Sequence, residues 1–154
     1  MSAGTAEALG VSGAGVRIVK AHEQFSVGDW TVLPFDAVHD AAEPLGLVIA
    51  AGEERFLYLT DSAYCKYRFS GLAVIALECN YSLAMLRAST MPTTVQNRII
   101  RNHMSLETAL ELLRANDLSR VREIHLLHMS EGNSDALAFK AAVHEATGRP
   151  VFVA

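Results

Sequence analysis

The sequence predicts an α/β fold on three observations. Extended, β-rich segments fill the first half of the chain, whereas strand and helix patterns alternate in the second. The apolar run Ile124-His125-Leu126-Leu127 stops at His128 and opens into the small polar stretch Ser130-Glu131-Gly132-Asn133-Ser134, before a helical pattern begins. A buried strand ending in a polar loop is where α/β proteins place their chemistry. The same design recurs at Val38-His39-Asp40 and at Leu59-Thr60-Asp61.

Taken in order, residues 1–15 are small and Gly/Ala-rich, with a short helix at 5–9. Gly13-Ala14-Gly15 is a turn; it lacks the third glycine and the helix start of a dinucleotide fingerprint. Strands follow at 16–20, 24–27 and 30–38, the last two joined by Gly28-Asp29 as a two-residue hairpin turn. A polar loop spans 39–44. Strands 45–51 and 55–60 form a second hairpin around Gly52-Glu53-Glu54. The continuous apolar run at 73–77 reads as a central strand. Residues 81–88 are helical, and Thr93 is expected to cap a helix running to about residue 101. Leu106, Leu110 and Leu113 recur at helical spacing, giving a helix at 106–116. Ser105 and Glu107 match a capping box poorly, because the glutamate falls two residues on rather than three. After the strand at 123–128, Ser134 or Asp135 caps a helix at 136–147 that Gly148 ends and Pro150 keeps from continuing. Residues 151–153 form a last strand. There is no internal repeat and no linker, so one domain is expected over residues 1–154.

Composition narrows the class. Of 154 residues, 51% are hydrophobic and 19% charged, which is globular and not disordered. No apolar run approaches the roughly 18–20 residues of a membrane span, and the start of the chain has no basic region followed by an apolar one. No membrane partner and a cytoplasmic location are therefore expected. Cys65 and Cys79 make neither a zinc spacing nor a disulfide framework, which fits a reducing compartment. A net charge of −4 gives no global attraction to nucleic acid. Arg98, Arg101 and Arg114 are the candidates for a local basic patch, although a solvated helix face has the same appearance.

The candidate chemistry lies at the strand ends. His39, Asp61 and His128 each follow an apolar strand. Two imidazoles and a carboxylate are a ligand set for zinc, manganese or non-haem iron. Taken alone, each histidine is more often a hydrogen-bonded structural residue and Asp61 is equally well a helix or turn cap; the signal is three such residues at three strand ends. Glu78-Cys79-Asn80 leaves the central strand with an acid and an amide. Asn102-His103-Met104-Ser105 precedes a helix, where backbone N–H groups favour a phosphate oxygen. His125 is set aside, because residues three apart on a strand point to opposite faces. His22 and His144 read as surface residues, and neither cysteine has a base nearby in sequence.

Together, Phe35-Asp36-Ala37-Val38-His39-Asp40-Ala41, Tyr58-Leu59-Thr60-Asp61-Ser62, Glu78-Cys79-Asn80-Tyr81-Ser82, Asn102-His103-Met104-Ser105 and Leu127-His128-Met129-Ser130-Glu131-Gly132-Asn133 resemble the metallo-β-lactamase-fold hydrolases, nuclease-like subgroup, in order and spacing. The resemblance covers nearly the whole chain. It implies a partial αββα sandwich with mixed sheets, in which metals sit between two sheets at the strand ends. It implies His39 as a ligand of the first metal, Asp61 as the bridge and His128 as a ligand of the second. It implies His103 as the phosphate-binding or proton-donating histidine, with Glu78 as the acid that supports it. The metal is expected to be zinc or manganese, up to two ions in a complete family member.

One signature is missing: the family's His-x-His-x-Asp-His segment has no counterpart, since no two histidines are separated by one residue. The chain therefore reads as the C-terminal portion of the fold, holding one weak metal site or none by itself. An N-terminal half supplied by another chain is expected to complete the centre. An apolar sheet face around Val32, Leu33 and Phe35 is expected to lie uncovered, driving homo-oligomer or hetero-complex formation; the mean hydropathy of +0.21 agrees with this. The expected activity is that of a phosphodiester hydrolase with single-stranded nucleic acid as partner. A non-catalytic binding or assembly subunit and a thioester or lactam hydrolase are the alternatives.

Overall fold

A computed structural model describes all residues from Met1 to Ala154. Its strands are β1 (Phe25–Val27), β2 (Trp30–Asp36), β3 (Leu45–Ala51), β4 (Glu54–Leu59), β5 (Val74–Glu78), β6 (Glu123–Leu127) and β7 (Val151–Val153). They form one seven-stranded sheet whose spatial order follows the sequence. The ladders β1–β2, β2–β3 and β3–β4 are antiparallel, and β4–β5, β5–β6 and β6–β7 are parallel. The helices are α1 (Ala3–Leu9), α2 (Leu83–Ala88), α3 (Thr93–Asn102), α4 (Leu106–Arg114) and α5 (Ala136–Thr147). This is the expected α/β architecture with a mixed sheet. No helix is long and apolar enough to cross a membrane.

Local chemistry explains most boundaries. Gly28, at φ 56°, supplies the left-handed turn between β1 and β2. Ser105 caps α4 by accepting from Thr108 N at 3.2 Å. Glu107, which breaks the capping-box spacing, instead reaches Leu83 N at the start of α2, 3.2 Å away. Asp135, not Ser134, caps α5, accepting from Leu137 N and Ala138 N. Gly148, in the left-handed region, closes that helix. Two local expectations are corrected. Thr93 is the first residue of α3 and not its cap, a position held by Pro92. Residues 16–20 join no ladder; Val19 N bonds instead to Met1 O, and Arg17 reaches Ser26 O, so the segment is tied down one contact at a time.

The register sorts the side chains onto two faces. Leu57, Ile75 and Ile124 lie in one row, and Leu59, Leu77 and Leu126 in the next. All six are fully buried, packed with Ala109, Leu112 and Leu113 of α4 and with Phe139 and Val143 of α5. The opposite face carries Phe56, Tyr58, Val74, Ala76, His125, Leu127 and Phe152. No helix covers it: Tyr58 is 37% exposed and Phe152 45%, and the strands leave a shallow apolar depression of about 320 Å3. The uncovered face thus lies over β4 to β7. The Val32, Leu33 and Phe35 region named from sequence differs, because Val32 and Phe35 are buried and only Leu33 is exposed. On the β3 side, Met1, Thr5 and Val19 share a cavity with Leu47, so the first twenty or so residues supply a partial cover there.

Gly46, on β3, is where Phe35 crosses closest to the sheet. A Cβ at residue 46 would overlap the Phe35 ring. Gly46→Ala should therefore cost about 1–3 kcal/mol by forcing Phe35 off its position, read as a lowered denaturant midpoint with an unchanged slope.

Candidate metal centre

The carboxyl ends of β4, β5 and β6 lie side by side, which brings together residues far apart in sequence. Asp61, Glu78, His103 and His128 each offer one ligand atom, and these atoms lie within 4.8 Å of one another. His128 Nδ1 is 3.1 Å from both Asp61 Oδ1 and Glu78 Oε1. His103 Nδ1 is 2.7 Å from Glu78 Oε1 and 3.9 Å from Asp61 Oδ1. His39 stands at the margin, its Nε2 3.9 Å from Asp61 Oδ1 and its ring edge-on to that of His103.

The backbone turns two of these groups inward. Asp61 (φ 49°), two residues past β4, and His128 (φ 54°), directly after β6, both occupy the left-handed region. Non-glycine residues rarely adopt it, and it costs of order 1 kcal/mol or more each. The turn at His128 is held from outside: Asn80 Nδ2 donates to His128 O at 2.7 Å, and Ser130 N donates to Asn80 O at 2.9 Å. Asn80 N donates to Met104 O, Leu106 N to Tyr81 O and Ser82 N to Asn133 O. These bonds lace together the three segments that carry Glu78, His103 and His128.

Glu78 shares its face of β5 with Val74 and Ala76, so the centre sits at the end of the uncovered face. Its carboxylate is fully buried. Oε2 accepts from Ser62 N at 2.7 Å, while Oε1 faces the two histidines. Burial pushes its pKa up to about 7, against the opposing pull of the Ser62 N–H and of His128. Burial likewise holds His103 below its ordinary value, against Asp61 and Asp40, which raise it. Ser62 was not singled out in the sequence, yet it also accepts from Val38 N at 2.9 Å and donates to Tyr64 O, tying the His39 loop to the Asp61 turn. Its only sequence signal is its place directly after Asp61.

The donor set fits a divalent cation. Hard carboxylate oxygens and imidazole nitrogens converge, and one of the acids is buried where an unpaired negative charge is costly. His39 is oriented differently. Its Nδ1 accepts from Ala41 N at 3.1 Å, which leaves the proton of the neutral ring on Nε2. Offering Nε2 to a cation would require that proton to move to Nδ1, where Asp40 Oδ1 lies 3.4 Å away. His125 pairs with Glu123 and stacks on Phe152; it lies on the same face as Glu78 but opposite Ala76, so its place along β6, and not an opposite face, separates it from the centre. Both cysteines are free thiols, and burial pushes Cys79 up to about 12, so neither is poised as a nucleophile.

A family model described as the β-lactamase superfamily domain matches residues 3–129. The chain belongs to this family. Among curated relatives, it is 28% identical over 125 residues to the exodeoxyribonuclease WalJ of Streptococcus pneumoniae, covering 77% of this chain and 46% of that protein. It is 27% identical over 113 residues to the exodeoxyribonuclease YycJ of Bacillus anthracis, covering 70% of this chain and 43% of that one. In three dimensions it resembles the metallo-β-lactamase fold protein YhfI of Bacillus subtilis, with a TM-score of 0.65 at 14% identity, over 90% of this chain and 52% of that one. The metallo-β-lactamase fold is thus the fold of this chain. The chain spans under half the length of the curated relatives it matches.

The buried acid makes a stability prediction for protein stripped of metal. Between the ordinary value of 4.5 and about 7, folded Glu78 keeps a proton that the unfolded chain has released. Stability should fall as pH rises through that window, by on the order of 3 kcal/mol. Glu78→Gln should flatten the slope, as read by denaturant unfolding at a series of pH values.

Proposed function

We infer that this chain carries the centre of a metal-dependent phosphodiester hydrolase of nuclease type. One observation carries the reading: the pair of buried Glu78 and half-buried His103 stands directly beside the convergent Asp61 and His128 donors. Asp61 and His128, with His39 at the margin, would hold a divalent cation, zinc or manganese by their chemistry. Such a cation supplies Lewis acidity and a water of lowered pKa. Glu78 fixes the His103 ring through Nδ1, which leaves Nε2 without a protein partner. That nitrogen is the group to bind a phosphate oxygen or return a proton to the leaving oxygen. Arg98, exposed and paired with Asp40 at 3.3 Å, lies on α3 beside the His39 loop, where it would receive the substrate's backbone. The names of the two curated relatives support DNA as the polymer. A thioester or lactam substrate has less support, because such a reaction gives the Glu78–His103 pair no phosphate to contact.

The reading extends to completion of the centre. The uncovered apolar face over β4 to β7 ends at Glu78, so whatever covers it borders the metal donors. Parallel sheets are nearly always covered on both faces. The relatives carry about as much protein again as they share with this chain. A second layer of protein on this face would shield it and bring further donors to the centre. The alternative, a non-catalytic binding subunit, would use the same face without the metal.

Two outcomes are expected. In direct titration, Asp61→Ala and His128→Ala should each weaken zinc or manganese binding by at least about tenfold, and single-stranded DNA affinity should drop steeply with added salt. Wild-type metal affinity in both variants, or a flat salt response, would sink the nuclease reading. Separately, the chain alone should self-associate in light scattering and bind a hydrophobic dye, and the double variant Tyr58→Lys, Phe152→Lys should do neither. A dye-silent wild-type monomer would refute the association surface.

A further inference from the structure

The helix-bearing face of the sheet is not covered along its whole width. Over β2 and β3 it opens into a trench of about 460 Å3. Leu33, Val48, Leu72 and Phe69 line it together with Arg55 and Arg68. No carboxylate lines it. The two acids of the β3–β4 hairpin are engaged elsewhere, Glu54 with Arg122 at 2.6 Å and Glu53 with Arg120 at 3.9 Å. Arg55 and Arg68 have no acidic partner. Arg55 Nη1 donates to Ser70 O at 3.1 Å and Arg68 Nη1 to Ala115 O at 3.4 Å, the latter a long contact. A guanidinium has five N–H donors, so most of their capacity is unspent. In a chain of net charge −4, two unpaired arginines in an acid-free trench stand out.

We propose that this trench is a second binding site, for a mononucleotide-sized organic phosphate. Its volume is in the range that holds small ligands. Guanidinium groups grip phosphate through paired N–H bonds, and two of them match a dianion. The aliphatic floor and Phe69 call for a flat apolar body as well, since phosphate alone would leave them wet. The site is separate from the metal centre. Arg55 is the second residue of β4 and Asp61 lies past its other end, so they are separated by up to about 20 Å at roughly 3.3 Å per residue.

The test is calorimetric titration with adenosine monophosphate, with inorganic phosphate and adenosine as the parts. Saturable binding of the nucleotide is expected, with each part binding at least about tenfold more weakly. Arg55→Gln and Arg68→Gln should each weaken binding roughly tenfold or more, and Asp61→Ala should leave it unchanged. Because Arg55 also anchors Ser70, Arg68→Gln and Leu33→Glu, which puts a carboxylate into the trench, provide variants away from that anchor; circular dichroism reports their folding. The proposal is overturned if the nucleotide does not saturate, if folded Arg68→Gln and Leu33→Glu bind it as wild type does, or if Asp61→Ala abolishes binding.

Discussion

The fully buried carboxylate of Glu78 is the group on which the arrangement depends. A carboxyl placed at the end of a central strand is costly in an apolar interior unless donors surround it. Here the support comes from three directions: Ser62 N from the Asp61 turn and His103 from the end of α3 form hydrogen bonds, and His128 at the end of β6 stands 3.1 Å away. Each of these segments is positioned partly by that demand. Once they converge on Glu78, Asp61 is drawn within 3.1 Å of His128, and the cluster has the composition of a cation site. The centre is therefore built around an acid that need not itself be a ligand.

Much of the fold could be read from the sequence because its signals were local. The Gly52 hairpin between β3 and β4, the apolar run of β5, the leucine spacing of α4 and the Asp135 and Gly148 caps of α5 all act within a few residues. Residues 16–20 failed that test in an informative way. Val16-Arg17-Ile18-Val19-Lys20 has strand composition, but it joins no ladder, and tertiary contacts to Met1 and Ser26 fix its path instead.

The candidate site was legible in its parts and not in its connections. His39, Asp61, Glu78, His103 and His128 stand out because each is a polar residue at the edge of an apolar segment. Asn80 stands out as the amide after the same strand as Glu78, but without a role, and Ser62 does not stand out at all. Their importance comes from bonds across the sheet, Ser62 N to the Glu78 carboxylate and Asn80 Nδ2 to His128 O, and no spacing rule encodes such a bond. The left-handed turns at Asp61 and His128 were equally silent, since nothing about a histidine announces positive φ. The difference between His39 and the tighter cluster depends on one backbone N–H, that of Ala41, which the sequence could not place.

The parallel ladder from β4 to β6 also has a kinetic meaning. Its strands are joined by long connections, and such pairings form late because chain closure must precede any gain from contact. Asp61, Glu78 and His128 sit on the ends of three of those strands, so a partly folded chain holds them apart. The centre comes into being only when the last long-range pairing is made. Its affinity for a cation thus reports completion of folding, and a cation that binds there returns the favour by disfavouring every state in which the ladder has opened.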